Sequence, residues 1–233
     1  MPKAYLEPQE VEKLEDEAEY LRDKLLVRIL ARTGCRISEA LSIKPSDIDF
    51  EQGMITIKHL KVGTKITCPS CGTRLSQKAR FCPGCGIKVE KAVTEEQSHQ
   101  KVRSVPVDEE TLGMIKEYIK LGGARNGNLF SINRSRAWQI IHDLAQRARL
   151  PQLIHPESGK RHNISPHRLR DAFAVMAVKI DDSGDGLRML QEQLGHKSFN
   201  TTARYRKIAG EELKGWYKKL WEDKHARTGD SQN

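Results

Sequence analysis

Apolar and polar positions recur with two different periods along the chain. Between residues 8 and 33, apolar side chains return every three or four positions, which predicts one amphipathic helix with Pro8 near its first turn and Gly34 at its end. The same period predicts further helices at residues 36–41, 112–122, 138–148, 165–180, 187–194, 201–206 and 211–221. Ser165 is the expected cap of the helix that Pro166 opens.

Strict alternation of apolar and polar residues marks two short segments. "GMITIK" (53–58) and "KVRSVPV" (101–107) both show this period, which predicts strands. Only a cysteine-rich segment separates them, so we expect a β-hairpin whose loop is replaced by a small domain. The chain is therefore predicted to be mainly α with a small antiparallel β-sheet (α+β).

Four of the five cysteines lie between these strands, at Cys68, Cys71, Cys82 and Cys85. Two Cys-x-x-Cys knuckles, each followed by a glycine, place four thiolates around a zinc ion at about 2.3 Å. Disulfides suit an oxidising compartment, and a redox motif needs one such pair and not two. The pattern predicts a zinc ribbon over 67–97 that holds one structural Zn²⁺ ion with no open coordination position.

Composition narrows the class of partner. No apolar run approaches the roughly 20 residues of a membrane span, and the N-terminus is acidic where a signal peptide would be basic. These features predict a cytoplasmic protein without a membrane partner. Lys and Arg exceed Asp and Glu by nine, with a pI near 9.3, which favours a polyanionic partner.

Four short motifs then occur in a fixed order. They are "TGCRISEALSIKPSDID" (33–49), the lysine of "LKVGTK" (60–65), "HRLR" (167–170) and "LGHKSFNTTARY" (194–205). Each is weak alone, but together they resemble the catalytic domain of the tyrosine recombinase, or phage-integrase, family. The resemblance runs from about Leu6 to Arg206, apart from the ribbon, and it implies the fold of that domain.

The resemblance also implies catalytic roles, carried position by position. Six residues match, namely Arg36, Lys61, His167, Arg170, His196 and Tyr205. Glu39 fits the acidic position that follows the first arginine. Lys65 lies within reach of the same loop as Lys61, so the hairpin lysine is the least specific match.

These residue types suit attack on a phosphodiester. Tyr205 has an ordinary pKa near 10 and needs a base, for which His167 is the candidate. Arg36 and Arg170 can each donate paired hydrogen bonds to phosphate oxygens in the transition state, and His196 can add another. Lys61 can protonate the departing 5′ oxygen. The expected product is a 3′-phosphotyrosyl enzyme, formed without ATP or a divalent metal.

The resemblance further implies double-stranded DNA as partner and a homotetramer on DNA. An apolar stripe from Ile208 to Trp221 packs either on its own domain or on a neighbouring protomer. The helix that bears Arg134, Arg136, Gln139, Arg147 and Arg149 has a polar face that suits phosphates or base edges, although a purely solvated face also fits the pattern. The expected domains are a discontinuous catalytic domain (1–66 and 98–225), the ribbon (67–97) and a flexible tail (226–233).

Two other function classes stay open at this point. One is a non-catalytic zinc-ribbon DNA-binding protein on a recombinase scaffold, and the other is a relative that relaxes or resolves DNA without exchanging partners. The catalytic pattern begins almost at Met1, so either the chain is a minimal member or an N-terminal part was removed. Most members of the family that the chain resembles carry an N-terminal helical domain that completes a clamp around DNA. We expect the ribbon to add a DNA or partner contact that makes up for this missing half of the clamp.

Overall fold

A computed structural model describes residues 3–76, 79–89, 93–125, 127–155 and 158–209, without the side chains of 59–65, 93–101 and 207–209. It divides the chain into two compact units. The larger unit comprises Met1–Ile57 and Arg103–Asn233, and the smaller comprises Lys58–Val102. The described chain is mainly helical with small antiparallel sheets, which confirms the predicted fold class.

The helices are α1 (Pro8–Asp16), α2 (Leu21–Thr33), α3 (Ile37–Ser42), α4 (Glu109–Lys120), α5 (Arg134–Arg147), α6 (Pro166–Ile180), α7 (Gly184–Leu194) and α8 (Phe199–Ala209). The strands are β1 (Ile48–Asp49), β2 (Met54–Thr67), β3 (Val93–Pro106), β4 (Leu153–Ile154) and β5 (Arg161–His162). One sheet has the order β1-β2-β3, with Ile48 opposite Ile55, and β4 pairs with β5. Both long strands extend beyond the segments whose alternation predicted them.

The predicted single helix over residues 8–33 is wrong. The chain leaves the first helix at Glu17 and starts the second after Tyr20, whose backbone is extended. No glycine or proline marks this break. It lets α1 fold back onto α2, so that Val11 and Leu14 are buried together with Leu25 in one core.

Helix α2 lies at the centre of the larger unit. It packs against α1, α3, α4, α5 and α6, and its middle turns are buried on all sides. The helix ends at Gly34, whose φ of 63° is the left-handed conformation that favours glycine. A Cβ there would lie 2.5 Å from Phe173 Cδ1, so Gly34 also permits the close approach of α6.

An ion cluster around the buried guanidinium of Arg28 ties α1, α2 and the start of α4 together. Arg28 donates from Nη1 to Glu15 Oε2 at 2.9 Å and from Nε to Thr111 Oγ1 at 2.8 Å. Asp108 and Glu110 pair with its other terminal nitrogen. The cluster satisfies a charge that burial would otherwise make costly.

The other predicted helices within the described residues are present. Helix α6 starts at Pro166 with Ser165 in the N-cap position, as expected, but the Ser165 side chain makes no capping hydrogen bond. The predicted helix at 211–221 lies outside the described residues. Among the helices that the structure describes, none combines the length and the apolar character that a membrane span requires.

Candidate active site and candidate metal centre

A cavity of about 260 Å³ brings three of the predicted catalytic residues together in the larger unit. The start of α3 supplies Arg36, and the first turns of α6 supply His167 and Arg170. The complete lining is Cys35, Arg36, Ile37, Ser38, Arg134, Pro166, His167 and Arg170. Three guanidinium groups beside one opening make a site suited to an anion.

Arg170 is fixed by backbone carbonyls. It is only 2% exposed and donates from Nη1 to Gly34 O at 2.6 Å and from Nη2 to Leu194 O at 2.8 Å. Burial, assisted by the charge of Arg36, lowers the pKa of Arg170 to about 10. The guanidinium therefore stays charged at neutral pH, and the ends of α2 and α7 hold it in place.

Arg36 is held by the buried carboxylate of Glu39. Glu39 Oε1 accepts from Arg36 Nη1 at 3.0 Å, and Oε2 accepts from the Arg36 backbone N at 2.9 Å. Arg103, on β3, donates from Nη2 to Glu39 Oε2 at 2.7 Å and from Nε to Gln193 O at 2.9 Å. Burial alone would raise the pKa of Glu39, but the hydrogen bonds from Arg103 and Arg36 outweigh it and lower the pKa to about 2.

His167 lies at the surface, with 56% of its side chain exposed. Its Nε2 is 3.8 Å from Asp171 Oδ1. Partial withdrawal from solvent lowers the pKa of His167, and so do the charges of Arg168 and Arg170, against the opposing effect of Asp171. The neutral ring, which can accept a proton, is thus favoured at neutral pH.

Tyr205 is fully buried, with no exposed surface. It packs in a second apolar cluster, formed by α6, α7 and α8, that includes Val175 and Leu190. Its hydroxyl donates to Asp171 Oδ1 at 3.0 Å. Burial raises the pKa of the phenol, and the negative charge of Asp171 adds to this effect. Although it belongs to the described part of the chain, Tyr205 is not one of the residues that line the cavity.

His196 lies beside Tyr205. The two rings stack with centroids 6.2 Å apart and an angle of 11° between their planes. The Nδ1 atom of His196 is 2.9 Å from Thr202 Oγ1. Burial, followed by the charges of Arg170 and Arg36, lowers the pKa of His196 to about 4. The ring is therefore neutral at pH 7 and can donate or accept one hydrogen bond on each nitrogen.

The sixth predicted residue lies in the other unit. Lys61 belongs to β2 within Lys58–Val102, and its side chain, like that of Lys65, is outside the described residues.

Cys35 is buried, and burial raises the pKa of its thiol to about 11. That thiol stays protonated, as a cysteine packed in an apolar core does.

Two polar residues of the site had no predicted role. Asp171 accepts hydrogen bonds from Tyr205 and from Arg168, and Arg103 completes the pairing of Glu39. Asp171 could have been suspected because it directly follows "HRLR" in the sequence. Arg103 gave no such signal, since only the fold brings it to a partner 64 positions away.

The candidate metal centre consists of the four knuckle cysteines in the smaller unit. Their sulfur atoms all lie within 4.8 Å of one another, and the Cys68–Cys85 and Cys71–Cys82 pairs are 3.7 and 3.5 Å apart. A regular tetrahedron with metal–sulfur bonds of about 2.3 Å has edges of about 3.8 Å, so the spacing fits a tetrahedral metal ion. The Gly84 amide also donates to Cys82 Sγ at 3.3 Å, an outer hydrogen bond typical of thiolate ligands.

Comparison with known proteins adds an independent line of evidence. The sequence profile described as the phage integrase family matches residues 4–80 and 70–212. The tyrosine recombinase XerA of Pyrococcus furiosus is 25% identical over 225 residues, which cover 92% of this chain and 60% of that protein. The tyrosine recombinase XerD of Corynebacterium glutamicum is 30% identical over 207 residues, which cover 89% of this chain and 54% of that protein.

A solved structure shares the fold. The crystal structure of XerA recombinase superposes with a TM-score of 0.62 at 23% identity, and the match covers 95% of this chain and 66% of that one. The chain thus spans between 54 and 66% of the length of these three proteins.

Proposed function

The chain belongs to the phage integrase family, and from this premise we propose that it cleaves and rejoins duplex DNA at a specific site through a 3′-phosphotyrosyl intermediate. One observation carries the proposal: two guanidiniums and a neutral imidazole, those of Arg36, Arg170 and His167, converge on one cavity. A phosphodiester is the anion that such a set of donors fits.

In this mechanism the cavity binds the phosphate to be cleaved. Arg170 is held by two carbonyls and Arg36 by Glu39, so their donors are oriented before the substrate arrives. Fixed donors stabilise the charge that develops on the non-bridging oxygens without reorganising during the reaction. His196, neutral at pH 7, supplies a further hydrogen bond.

The nucleophile must first leave its buried position. Tyr205 gives up its hydrogen bond to Asp171 and moves toward the cavity, where His167 accepts the phenolic proton. The phenolate oxygen forms a bond to phosphorus while the bond from phosphorus to the 5′ oxygen breaks. Lys61 gives its proton to that oxygen. A 5′ hydroxyl from a second strand reverses these steps, so the reaction consumes neither ATP nor a divalent metal.

The four cysteines hold one Zn²⁺ ion in a structural role. A cytosolic setting favours zinc for four thiolates in tetrahedral geometry, and a complete set of four ligands leaves no position for substrate. Zinc binding would contribute most of the stability of the ribbon, whose apolar core is small: it comprises Cys68, Leu75 and Cys82, with Ile66, Ala79 and Val89 partly buried against them.

The working assembly is a homotetramer on two DNA sites. The domain limits that we assign are 1–66 with 98–225 for catalysis and 67–97 for the ribbon, followed by the tail at 226–233. We assign the contact with a neighbouring protomer to the apolar stripe that the sequence carries from Ile208 to Trp221.

The experiment that tests the proposal looks for a covalent protein–DNA adduct. The zinc-loaded chain is incubated with supercoiled plasmids that carry fragments of the source genome, without magnesium or ATP, and stopped with detergent. We expect an adduct on one fragment that disappears in Tyr205→Phe and persists in Tyr118→Phe, a matched change at another buried tyrosine. Binding to DNA without an adduct on any fragment would instead favour a non-catalytic DNA-binding protein.

A further inference from the structure

The positive charge of the chain is concentrated in the smaller unit. Lys58–Val102 contains nine Lys and Arg residues against three Asp and Glu, which accounts for six of the nine net positive charges. Within residues 67–89 there are four basic residues and no acidic residue. A Zn²⁺ ion with four thiolates is negatively charged overall. The four basic residues outweigh that charge, so the net charge of residues 67–89 stays positive.

The two knuckles repeat the same backbone pattern. In the first, Cys68 N donates to Thr73 O and Leu75 N donates to Ile66 O. In the second, Cys82 N donates to Ile87 O and Val89 N donates to Arg80 O. Cys68 therefore corresponds to Cys82, and Arg74 corresponds to Lys88.

The repeat places a basic residue at the same exposed position of each knuckle. Antiparallel bridges pair Thr67 with Arg74 and Phe81 with Lys88, and directly opposed residues share a face. Arg74, Arg80 and Lys88 are exposed, and Phe81, which the second bridge places opposite Lys88, is 61% exposed. The buried side of the ribbon is instead apolar, with Leu75 and two of the cysteines.

We propose that this exposed set, Arg74, Arg80, Phe81 and Lys88, which we term the knuckle surface, binds duplex DNA. The cations contact backbone phosphates, and the Phe81 ring contacts deoxyribose or base edges in a groove. The charge decides between DNA and a protein partner: a protein-docking surface is depleted in charge at its centre, whereas here Lys88 lies opposite Phe81 and Arg80 directly precedes it in the chain. The inference rests on the proposed function, which makes duplex DNA the substrate.

The test measures affinity and its salt dependence in the full zinc-loaded chain. The probe is a fluorescent 30-base-pair duplex of arbitrary sequence, titrated by anisotropy at several KCl concentrations. Each phosphate contact contributes roughly 0.9 to the slope of log K against log salt. We expect Arg74→Gln/Arg80→Gln to weaken binding at least about tenfold near 100 mM salt and to reduce the slope by about 1.8.

Two further variants sharpen the result. Lys13→Gln/Lys120→Gln removes the same charge from exposed positions of α1 and α4 and should change affinity less than about twofold. Phe81→Ala should weaken binding while leaving the slope unchanged, because an apolar contact releases no counterions. Equal zinc content in all variants shows that each ribbon is intact.

The outcomes separate the two proposals. If the parent chain does not bind this arbitrary duplex, the present inference fails, while the adduct experiment on genome fragments still decides the proposed function. If the parent chain binds and the Arg74/Arg80 variant matches it in affinity and slope, the knuckle surface is not a DNA contact. Altered self-association in Phe81→Ala with unchanged duplex affinity would identify a protein-docking surface and would also overturn the inference.

Discussion

Replacing Glu39 with glutamine tests how the arginines beside the cavity are held. The carboxylate is 2% exposed and accepts hydrogen bonds from Arg36 and Arg103. Glutamine keeps the size of the side chain but removes its charge and one acceptor. Arg103, whose side chain is 14% exposed, would then be a largely buried cation without its carboxylate partner.

The pKa of Glu39 gives the size of the effect. A pKa lowered from 4.5 to about 2 corresponds to about 3 kcal/mol in favour of the carboxylate in the folded chain. We therefore expect Glu39→Gln to lower the free energy of unfolding by about 3 kcal/mol at pH 7. Because the folded pKa is depressed, this stabilisation is complete above the unfolded pKa near 4.5 and is lost as the pH falls toward 2.

Urea unfolding at pH 7 and pH 4 measures both expectations. The difference in the free energy of unfolding between the parent chain and Glu39→Gln should narrow by about 1 kcal/mol at pH 4. Glu15→Gln is the matched control, since Glu15 is also buried and paired with an arginine, Arg28. Burial raises the pKa of Glu15 despite Arg28, so lowering the pH favours the folded state at this group. The difference in the free energy of unfolding between the parent chain and Glu15→Gln should therefore change in the opposite direction.

A cost below about 1 kcal/mol for Glu39→Gln would refute this reasoning. So would a gap between the two chains that does not depend on pH. Either result would mean that Arg36 and Arg103 keep their positions without the carboxylate. The orientation of the arginines would then have another origin.

Two further predictions concern the nucleophile and the metal. Asp171→Asn should lower the pH at which Tyr205 ionises, because the charge of Asp171 helps to raise the pKa of the phenol. Tyrosinate absorbance measures this, with Tyr205→Phe as the reference, and an unchanged titration would contradict it. Cys82→Ser should reduce bound zinc from one ion per chain to none by elemental analysis, with little loss of helical circular dichroism because α1 to α8 lie in the other unit. Full retention of zinc would show that Cys82 is not a ligand.

Local signals in the sequence predicted much of the fold. The period of apolar positions marks α4 to α7, and Ser165 with Pro166 marks the start of α6, because these features act within one helical turn. Knuckle spacing likewise predicted that the four cysteines meet. The turn between α1 and α2 was missed, because tertiary packing and not a glycine or proline ends α1 at Glu17.

The candidate site was predicted less completely, for a physical reason. Its motifs identify which side chains carry the chemistry, but they do not identify the groups that position them. Glu39 and Arg103 lie 64 positions apart, and Tyr205 and Asp171 lie 34 positions apart. Only the packing of β3 near α3, and of α8 on α6, brings these pairs together. The buried resting position of Tyr205 follows from that packing and has no local signal.

The most direct measurement identifies the atom that carries the DNA. The covalent adduct is digested with a nuclease and a glutamate-specific protease, and the peptide of residues 193–211, which contains Tyr205 and no other tyrosine, is analysed by mass spectrometry. We predict a nucleotide joined through its 3′ phosphate to the oxygen of Tyr205. A nucleotide on any other residue, or one joined through a 5′ phosphate, would contradict the proposed mechanism.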